Sequence, residues 1–111
     1  MKTIDLPVQV TREEKRFLME AALLYRDSRR YAEAQATFTG ILPIVEDKYL
    51  VAVGLGSIHF EQAQFNEAVE SFEAAIKLHP RSAIAYAHLG EALAFAKHRE
   101  EADLALKKAV E

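Results

Sequence analysis

The sequence contains no cysteine, which excludes disulfide bridges, thiolate zinc sites and a catalytic thiol. Four glycines and three prolines among 111 residues are few, and this argues against a loop-rich or all-β protein. No stretch approaches the ~18 uncharged apolar residues of a membrane-spanning helix. The first ten residues also lack the apolar run of a secretory signal, so we expect a cytoplasmic protein that does not insert into membranes.

The charge balance shows no basic excess. Fourteen Lys and Arg residues against seventeen Asp and Glu residues give a formal net charge of −3, which argues against a nucleic-acid-binding protein. A hydrophobic fraction of 50% beside 28% charged residues is typical of a globular chain. The length predicts a single domain.

The sequence repeats itself with a period of 34 residues. The repeated positions include a Glu-Ala pair, which occurs at Glu33-Ala34, Glu67-Ala68 and Glu101-Ala102. Four residues after each Ala stands a large apolar residue, namely Phe38, Phe72 and Leu106. A column of small residues lies upstream, at Ala22, Gly56 and Gly90. On the first helix of repeat 1 the repeated positions Leu18, Ala22 and Tyr25 are three or four residues apart and form one helical face. Each repeat is therefore predicted to be a pair of packed helices.

The pattern predicts six helices, at about 12–27, 31–42, 48–61, 65–78, 83–96 and 99 to the end. Thr11 is the predicted N-cap of the first helix, with Glu14 completing a capping box, and Asp47 and Ser82 cap the third and fifth helices. Pro43 and Pro80 end the second and fourth helices. Residues 1–11 are then an extended N-terminal segment and residues 12–111 a repeat domain, with repeats at about 15–48, 49–82 and 83–111.

The repeat resembles the tetratricopeptide repeat family. Its pattern of Leu-Gly, Ala, an aromatic residue and a closing Pro is matched in repeat 2 by Leu55-Gly56, Ala68, Phe72 and Pro80. Repeat 3 matches with Tyr86, Leu89-Gly90, Ala102 and Ala109, whereas repeat 1 has Ala21-Ala22 in place of Leu-Gly. The resemblance implies an all-α protein, a right-handed solenoid of three helix hairpins with a concave inner face.

The inner face is expected to consist of the residues on the first helix of each hairpin that are not used for packing within the hairpin. They are Arg16, Met19, Leu23, Arg26, Leu50, Val53, Ser57, Phe60, Ile84, Ala87, Glu91, Ala94 and Phe95. Most are apolar, and a contiguous exposed apolar stripe usually marks an interaction site. We therefore expect a groove that binds an extended partner segment through apolar anchors. The alternative is that residues 1–10, or a second copy of the chain, cover the stripe.

Two kinds of tetratricopeptide partner recognition are distinguished by these positions. The clamp that grips the C-terminal carboxylate of heat-shock chaperones needs Lys and Asn. Its positions here hold Met19, Leu23, Gly54, Ile84 and His88 instead, which argues against that class of partner. The motifs Gly54-Leu55-Gly56, Ala68-Val69 with Ser71-Phe72, and His88-Leu89-Gly90-Glu91 resemble the small tetratricopeptide chaperones of bacterial type III secretion. That resemblance implies a chaperone or co-chaperone whose groove holds a segment of a secreted translocator-type protein. A scaffold subunit, buried against folded partners, is the alternative function.

Other chemistry finds little support in the sequence. The four His residues show no ligand spacing on one helix face, so neither a metal nor another cofactor is expected. The Ser residues lack the context of a nucleophile, no glycine-rich loop suits a phosphate, and no enzyme activity is expected. Arg26, Arg29 and Arg30 form a basic group that is either a solvated turn or a site for an acidic stretch. The apolar last helix, with Leu104 and Leu106, predicts a symmetric homodimer through that helix.

Overall fold

The computed structural model describes residues 10–111, which form six α-helices in three hairpins. The helices are α1 (Arg12–Asp27), α2 (Tyr31–Ile41), α3 (Lys48–Glu61), α4 (Phe65–Leu78), α5 (Ala83–Phe95) and α6 (Arg99–Ala109). Within residues 10–111 there is no strand. The all-α solenoid predicted from the sequence is therefore confirmed. The predicted N-terminal segment, residues 1–11, lies almost wholly outside the described residues.

The helix starts follow from side chains that satisfy free backbone N–H groups. The hydroxyl of Thr11 accepts a hydrogen bond from the N–H of Glu14 at 3.1 Å, and the carboxylate of Glu14 accepts from the N–H of Thr11 at 2.9 Å. This is the predicted capping box. Asp47 accepts from the N–H of Tyr49, and Ser82 accepts from the N–H of Ala85. All three predicted N-caps are confirmed.

Each hairpin turns through a residue in the left-handed backbone conformation. These residues are 34 positions apart and none is glycine: Arg29 (φ 62°), Ala63 (φ 60°) and Lys97 (φ 68°). In the first turn, the N–H of Arg30 donates to the carbonyl of Tyr25 and the N–H of Arg29 donates to that of Arg26. This is the bonding of a Schellman motif, which closes the end of a helix and redirects the chain. The other two turns repeat it.

Small residues let the helices approach closely, and large residues fill the spaces between them. A Cβ atom added at Gly56 would lie 2.5 Å from the ring of Phe72 in the same repeat. One added at Gly54 would lie 2.5 Å from the ring of Phe38, which belongs to the preceding repeat. The large residue of α2 therefore wedges against α3, as the repeat pattern predicts.

The core runs along the solenoid in two main clusters. One joins α1, α2 and α3 around Ala22, Phe38 and Ile58, and the other joins α4, α5 and α6 around Phe72 and Leu89. A smaller cluster links them, consisting of Ala52, Ala75 and Ala85. Because most helix–helix contacts join neighbours along the chain, the first helix of every hairpin keeps one face largely free.

Candidate partner-binding groove

A cleft of about 420 Å³ opens on the free faces of the first helices. Side chains from all three repeats line it: Arg26, Asp27, Arg29, Tyr31, Val53, Ser57, Glu61 and His88. Three of these, Arg26, Val53 and Ser57, are among the residues that the sequence assigns to the groove. The helix hairpins position them, because α1, α3 and α5 each contribute residues on one face to a shared inner surface.

A smaller pocket of about 150 Å³ adjoins this cleft. It is lined by Ser57, Phe60, Glu61, Phe72, His88 and Glu91, so that Ser57, Glu61 and His88 border both spaces. Its floor is aromatic, because the imidazole of His88 stacks on the ring of Phe72 with centroids 5.1 Å apart and an interplanar angle of 15°. Two carboxylates, Glu61 and Glu91, are exposed around it. The pocket has the size of a single side chain.

Three phenylalanines meet at the end of the groove near the hairpin turns. Phe60 of α3 lies 5.2 Å from Phe95 of α5 and 5.4 Å from Phe65 of α4, measured between ring centroids. Phe65 and Phe95 are stacked at 5.2 Å. The structure thus brings the predicted groove residues Phe60 and Phe95 into contact. Phe95 remains exposed, whereas Phe60 and Phe65 are half-buried.

The remaining predicted groove residues line neither of the two spaces. Leu50 and Ile84 are exposed near the starts of α3 and α5. Met19 and Leu23 are half-buried and pack against the first core cluster, so part of their surface serves the fold. The other members of this set are all exposed: Arg16, Ala87 and Ala94.

The basic group at the first hairpin divides into two parts. Arg30 is held by its neighbours, because it donates to the carboxylate of Glu33 at 2.8 Å and lies 5.1 Å from the ring centroid of Tyr25. The hydrogen bond from Arg30 lowers the pKa of Glu33, and the same contact raises the pKa of Arg30. Arg26 donates to Asp27 at 3.0 Å and, with Arg29, lines the cleft. Of the three arginines, only Arg26 and Arg29 line the cleft.

The middle of the groove is more polar than the sequence-derived set of residues. Asp27 and Glu61 stand 68 and 34 positions before Phe95, a predicted groove residue, so the same register contained the signal for both. His88 stands 34 positions after Gly54, and the sequence analysis assigned neither of these positions to the groove. Tyr31 is the first residue of the second helix of its hairpin. The sequence-derived set was restricted to first helices and therefore did not include it. Of the apolar residues in the predicted set, only Val53 lines the cleft and only Phe60 lines the smaller pocket.

The histidines have individual structural surroundings. His59 is half-buried, and its Nδ1 atom lies 2.8 Å from the Oε1 atom of Gln64. His79 packs against Tyr49 with ring centroids 4.4 Å apart. His98 lies 3.6 Å from the carboxylate of Glu101 at the start of α6. In the part of the chain that the structure describes, no three metal-ligating side chains come together.

Comparison with known families agrees with the observed hairpins. The family model of the TPR repeat matches residues 56–94, from the middle of α3 to the end of α5. This part of the chain is therefore similar to a tetratricopeptide repeat. Repeats of this kind generally mediate protein–protein interaction and are typically non-catalytic. No curated protein matches the chain. None of the helices within residues 10–111 combines the length and apolar character needed to cross a membrane.

Proposed function

We propose that this protein is a non-catalytic binding module that holds an extended segment of a partner protein in its concave groove. The observation that carries the proposal is the cleft of about 420 Å³, to which all three tetratricopeptide repeats contribute side chains. A cleft lined by three repeats can contact several successive residues of a bound segment, whereas a site within one repeat would accept only a single side chain. The predicted groove residues Leu50, Ile84 and Phe95 are all exposed and offer further apolar contacts.

Binding combines apolar anchors with a polar centre that fixes the register of the segment. A fully buried apolar anchor contributes about 1.5–3 kcal/mol. Two or three anchors, after the cost of ordering the segment, give affinities in about the micromolar range. Arg29, together with Arg26 in its ion pair with Asp27, gives the repeat 1 side of the cleft a net positive charge, and Glu61 offers negative charge at the repeat 2 side. The partner segment is therefore expected to carry an acidic group that faces repeat 1.

Blocking the centre of the groove tests the proposal. Ser57 borders both the cleft and the smaller pocket, so the indole side chain of Ser57→Trp should occupy the space that a bound segment needs. Ala74→Trp adds the same side chain to an exposed position of α4 and is the matched control. The probe is a display library of random twelve-residue peptides, selected separately on each protein. We expect enrichment of related peptides on the wild type and on Ala74→Trp but not on Ser57→Trp. Equal enrichment on Ser57→Trp contradicts a groove site.

Exposed apolar positions provide a second test with less risk to the fold. Val53 and Phe60 are half-buried and pack against the second core cluster, so acidic substitutions there would also weaken the fold. Leu50→Asp together with Ile84→Asp places the charges on exposed surface instead. We expect this double variant to lose affinity for a selected peptide by about tenfold or more while keeping its unfolding midpoint.

The finer proposal is a chaperone or co-chaperone of type III secretion that acts in the cytoplasm on a translocator-type client. It is supported by the resemblance of Gly54-Leu55-Gly56, Ala68-Val69 and His88-Leu89-Gly90-Glu91 to that family, and by the position of Glu91 at the smaller pocket. In the native host, loss of this protein should lower the level of one secreted protein. Ala74→Trp should restore that level and Ser57→Trp should not. A host in which every secreted protein keeps its level contradicts the chaperone role.

The alternative function is that of an assembly subunit whose apolar surfaces are buried against folded partners. The exposed Phe17 and Leu24 of α1 and Val110 at the end of α6 favour it, because they lie away from the cleft. Competition separates the two functions. A short peptide selected on the groove should displace a natural partner that binds as an extended segment, but it should leave a folded-subunit interface intact.

A further inference from the structure

The two ends of the solenoid carry the residues that pack successive repeats together inside it. In α3, Val51 and Ile58 are fully buried, in contact with the core cluster that includes α2. The residues 34 positions earlier, on α1, are Phe17 and Leu24, which are 68% and 66% exposed. The equivalent residues of α5, Ala85 and Ala92, are again fully buried. The outer face of α1 therefore carries apolar residues at the positions that, in α3 and α5, pack on the preceding helix.

The opposite end shows the complementary surface. Phe72 of α4 is buried against α5, and Ile76, one turn further on, is half-buried beside it. The residues 34 positions later, on α6, are Leu106 and Val110. Both are exposed, Val110 by 86%. The outer face of α6 thus carries apolar residues at the positions that, in α4, pack against the next helix along the solenoid.

The charges at the two ends also match. Where α4 meets α5, Phe65 stacks on Phe95 with ring centroids 5.2 Å apart. One repeat after Phe65 stands Arg99, and two repeats before Phe95 stands Asp27, and both are exposed. If α1 of one copy packed on α6 of another as α5 packs on α4, the guanidinium of Arg99 would face the carboxylate of Asp27. That carboxylate accepts from Arg26 within its own chain, and two oxygens leave room for a second donor.

We propose that copies of this chain stack head to tail, with α1 of one copy on α6 of the next. Such an interface continues the internal repeat and joins two different surfaces, so it produces open-ended stacks and not a closed pair. It therefore differs from the symmetric homodimer through α6 that the sequence suggests. Stacking also continues the concave face from one copy to the next, but it does not depend on a partner in the groove.

The interface is expected to be weaker than the internal packing. Asp103 stands where α4 has the half-buried Val69, and Glu20 stands where α3 has Gly54. These charged residues add a desolvation cost that the internal interfaces do not have. Association should accordingly be reversible, with assembly growing as the concentration rises toward about 1 mM. Asp103→Val restores the residue found in α4 and should strengthen the stacks.

Charge reversal at each end tests the proposal by sedimentation equilibrium on the whole chain. R99D places an acidic residue in the first turn of α6, and D27R places a basic residue in the last turn of α1. Both changes suit the helix dipole, so the fold should be kept. Each variant alone is expected to associate about tenfold more weakly than the wild type. An equimolar mixture should regain association into alternating stacks. The R99D end of one variant meets the D27R end of the other with opposite charges, and the unchanged Arg99 of the D27R variant meets the unchanged Asp27 of the R99D variant.

The controls carry the same charge changes away from both ends. Lys77→Asp and Glu73→Arg both lie at exposed positions of α4. Both should associate as the wild type does. A wild type that stays monomeric at about 1 mM overturns the proposal. A weakening by R99D without one by D27R also overturns it and indicates the symmetric pairing of α6. A mixture that associates no more strongly than either variant alone counts equally against stacking.

Discussion

The phenyl ring of Phe72 in α4 lies against the backbone of Gly56 in α3, so closely that a Cβ atom at position 56 would stand 2.5 Å from its Cε1 atom. The same relationship joins Gly90 of α5 to Leu106 of α6, where the nearest approach would be 2.6 Å. A helical glycine ordinarily weakens a helix by about 1 kcal/mol relative to alanine. Here the glycine is required because the large residue of the second helix occupies the place of its side chain.

Replacing this glycine should reverse the usual effect of a Gly→Ala change. We expect Gly56→Ala to lower the free energy of unfolding by about 1–3 kcal/mol, because the ring of Phe72 must move out of a filled core. The double variant Gly56→Ala with Phe72→Leu should lose less than the sum of the two single changes. Urea unfolding followed by circular dichroism measures all three. A stabilised Gly56→Ala protein would show that the ring has room to shift.

The turns between paired helices predict a stabilising substitution. Ala63 has a φ of 60°, a conformation that costs an L-residue about 1–2 kcal/mol and glycine little. Because glycine also gains freedom in the unfolded chain, Ala63→Gly should raise the free energy of unfolding by no more than about 1 kcal/mol. Ala74→Gly, in the middle of α4 on exposed surface, is the control and should lower it by about 1 kcal/mol. A loss of stability in both variants would contradict the strain assigned to the turn.

Ser82 connects two repeats through one hydroxyl group. Its Oγ atom accepts from the N–H of Ala85 at 3.1 Å and lies 2.6 Å from the hydroxyl oxygen of Tyr49. Ser82→Ala should lower the free energy of unfolding by about 1–2 kcal/mol, because it removes the cap of α5 and leaves the half-buried Tyr49 hydroxyl without this contact. Tyr49→Phe removes only the contact between the hydroxyls and should cost less. Thermal unfolding measures the stability of both variants. If Ser82→Ala and Tyr49→Phe lost equal stability, the cap of α5 would contribute nothing.

Acid should weaken the fold through two carboxylates. Hydrogen bonds from Arg30 lower the pKa of Glu33, and those from Thr11 lower the pKa of Glu14. A carboxylate with a lowered pKa stabilises the fold above its unfolded pKa of about 4.3, and this contribution is lost as the pH falls through the folded value. We therefore expect the unfolding midpoint to fall on acidification below about pH 5.

Removing one of these carboxylates isolates its share of the acid response. Glu33→Gln should unfold with a shallower dependence on pH over the same interval. Ala32→Gln adds the same amide at the neighbouring exposed position and should keep the dependence of the wild type. Unfolding midpoints measured between about pH 6 and pH 3 test this. An unchanged slope in Glu33→Gln would show that its contact with Arg30 is not maintained in solution.

The sequence by itself determined the helices, the caps and the order of packing. The period of 34 residues places small and large residues in fixed columns, and a helix pair has only one way to bury such columns. Local rules were sufficient for Thr11, Asp47 and Ser82, because a cap is made by residues within one turn of each other. The left-handed turn residues carry no such signal, since Arg29, Ala63 and Lys97 are not residue types that favour that conformation.

Only the tertiary structure decided what the groove contains. Which side chains share a cleft depends on the angle between successive hairpins, and that angle follows from contacts such as Phe38 against Gly54 and Phe72 against His88. The register alone identified Val53 and Ser57, but it did not place Glu61 and His88 beside them. Periodicity determines which face of a helix is free, because it is a property of one helix. The composition of a surface shared by three helices depends on how all three are packed.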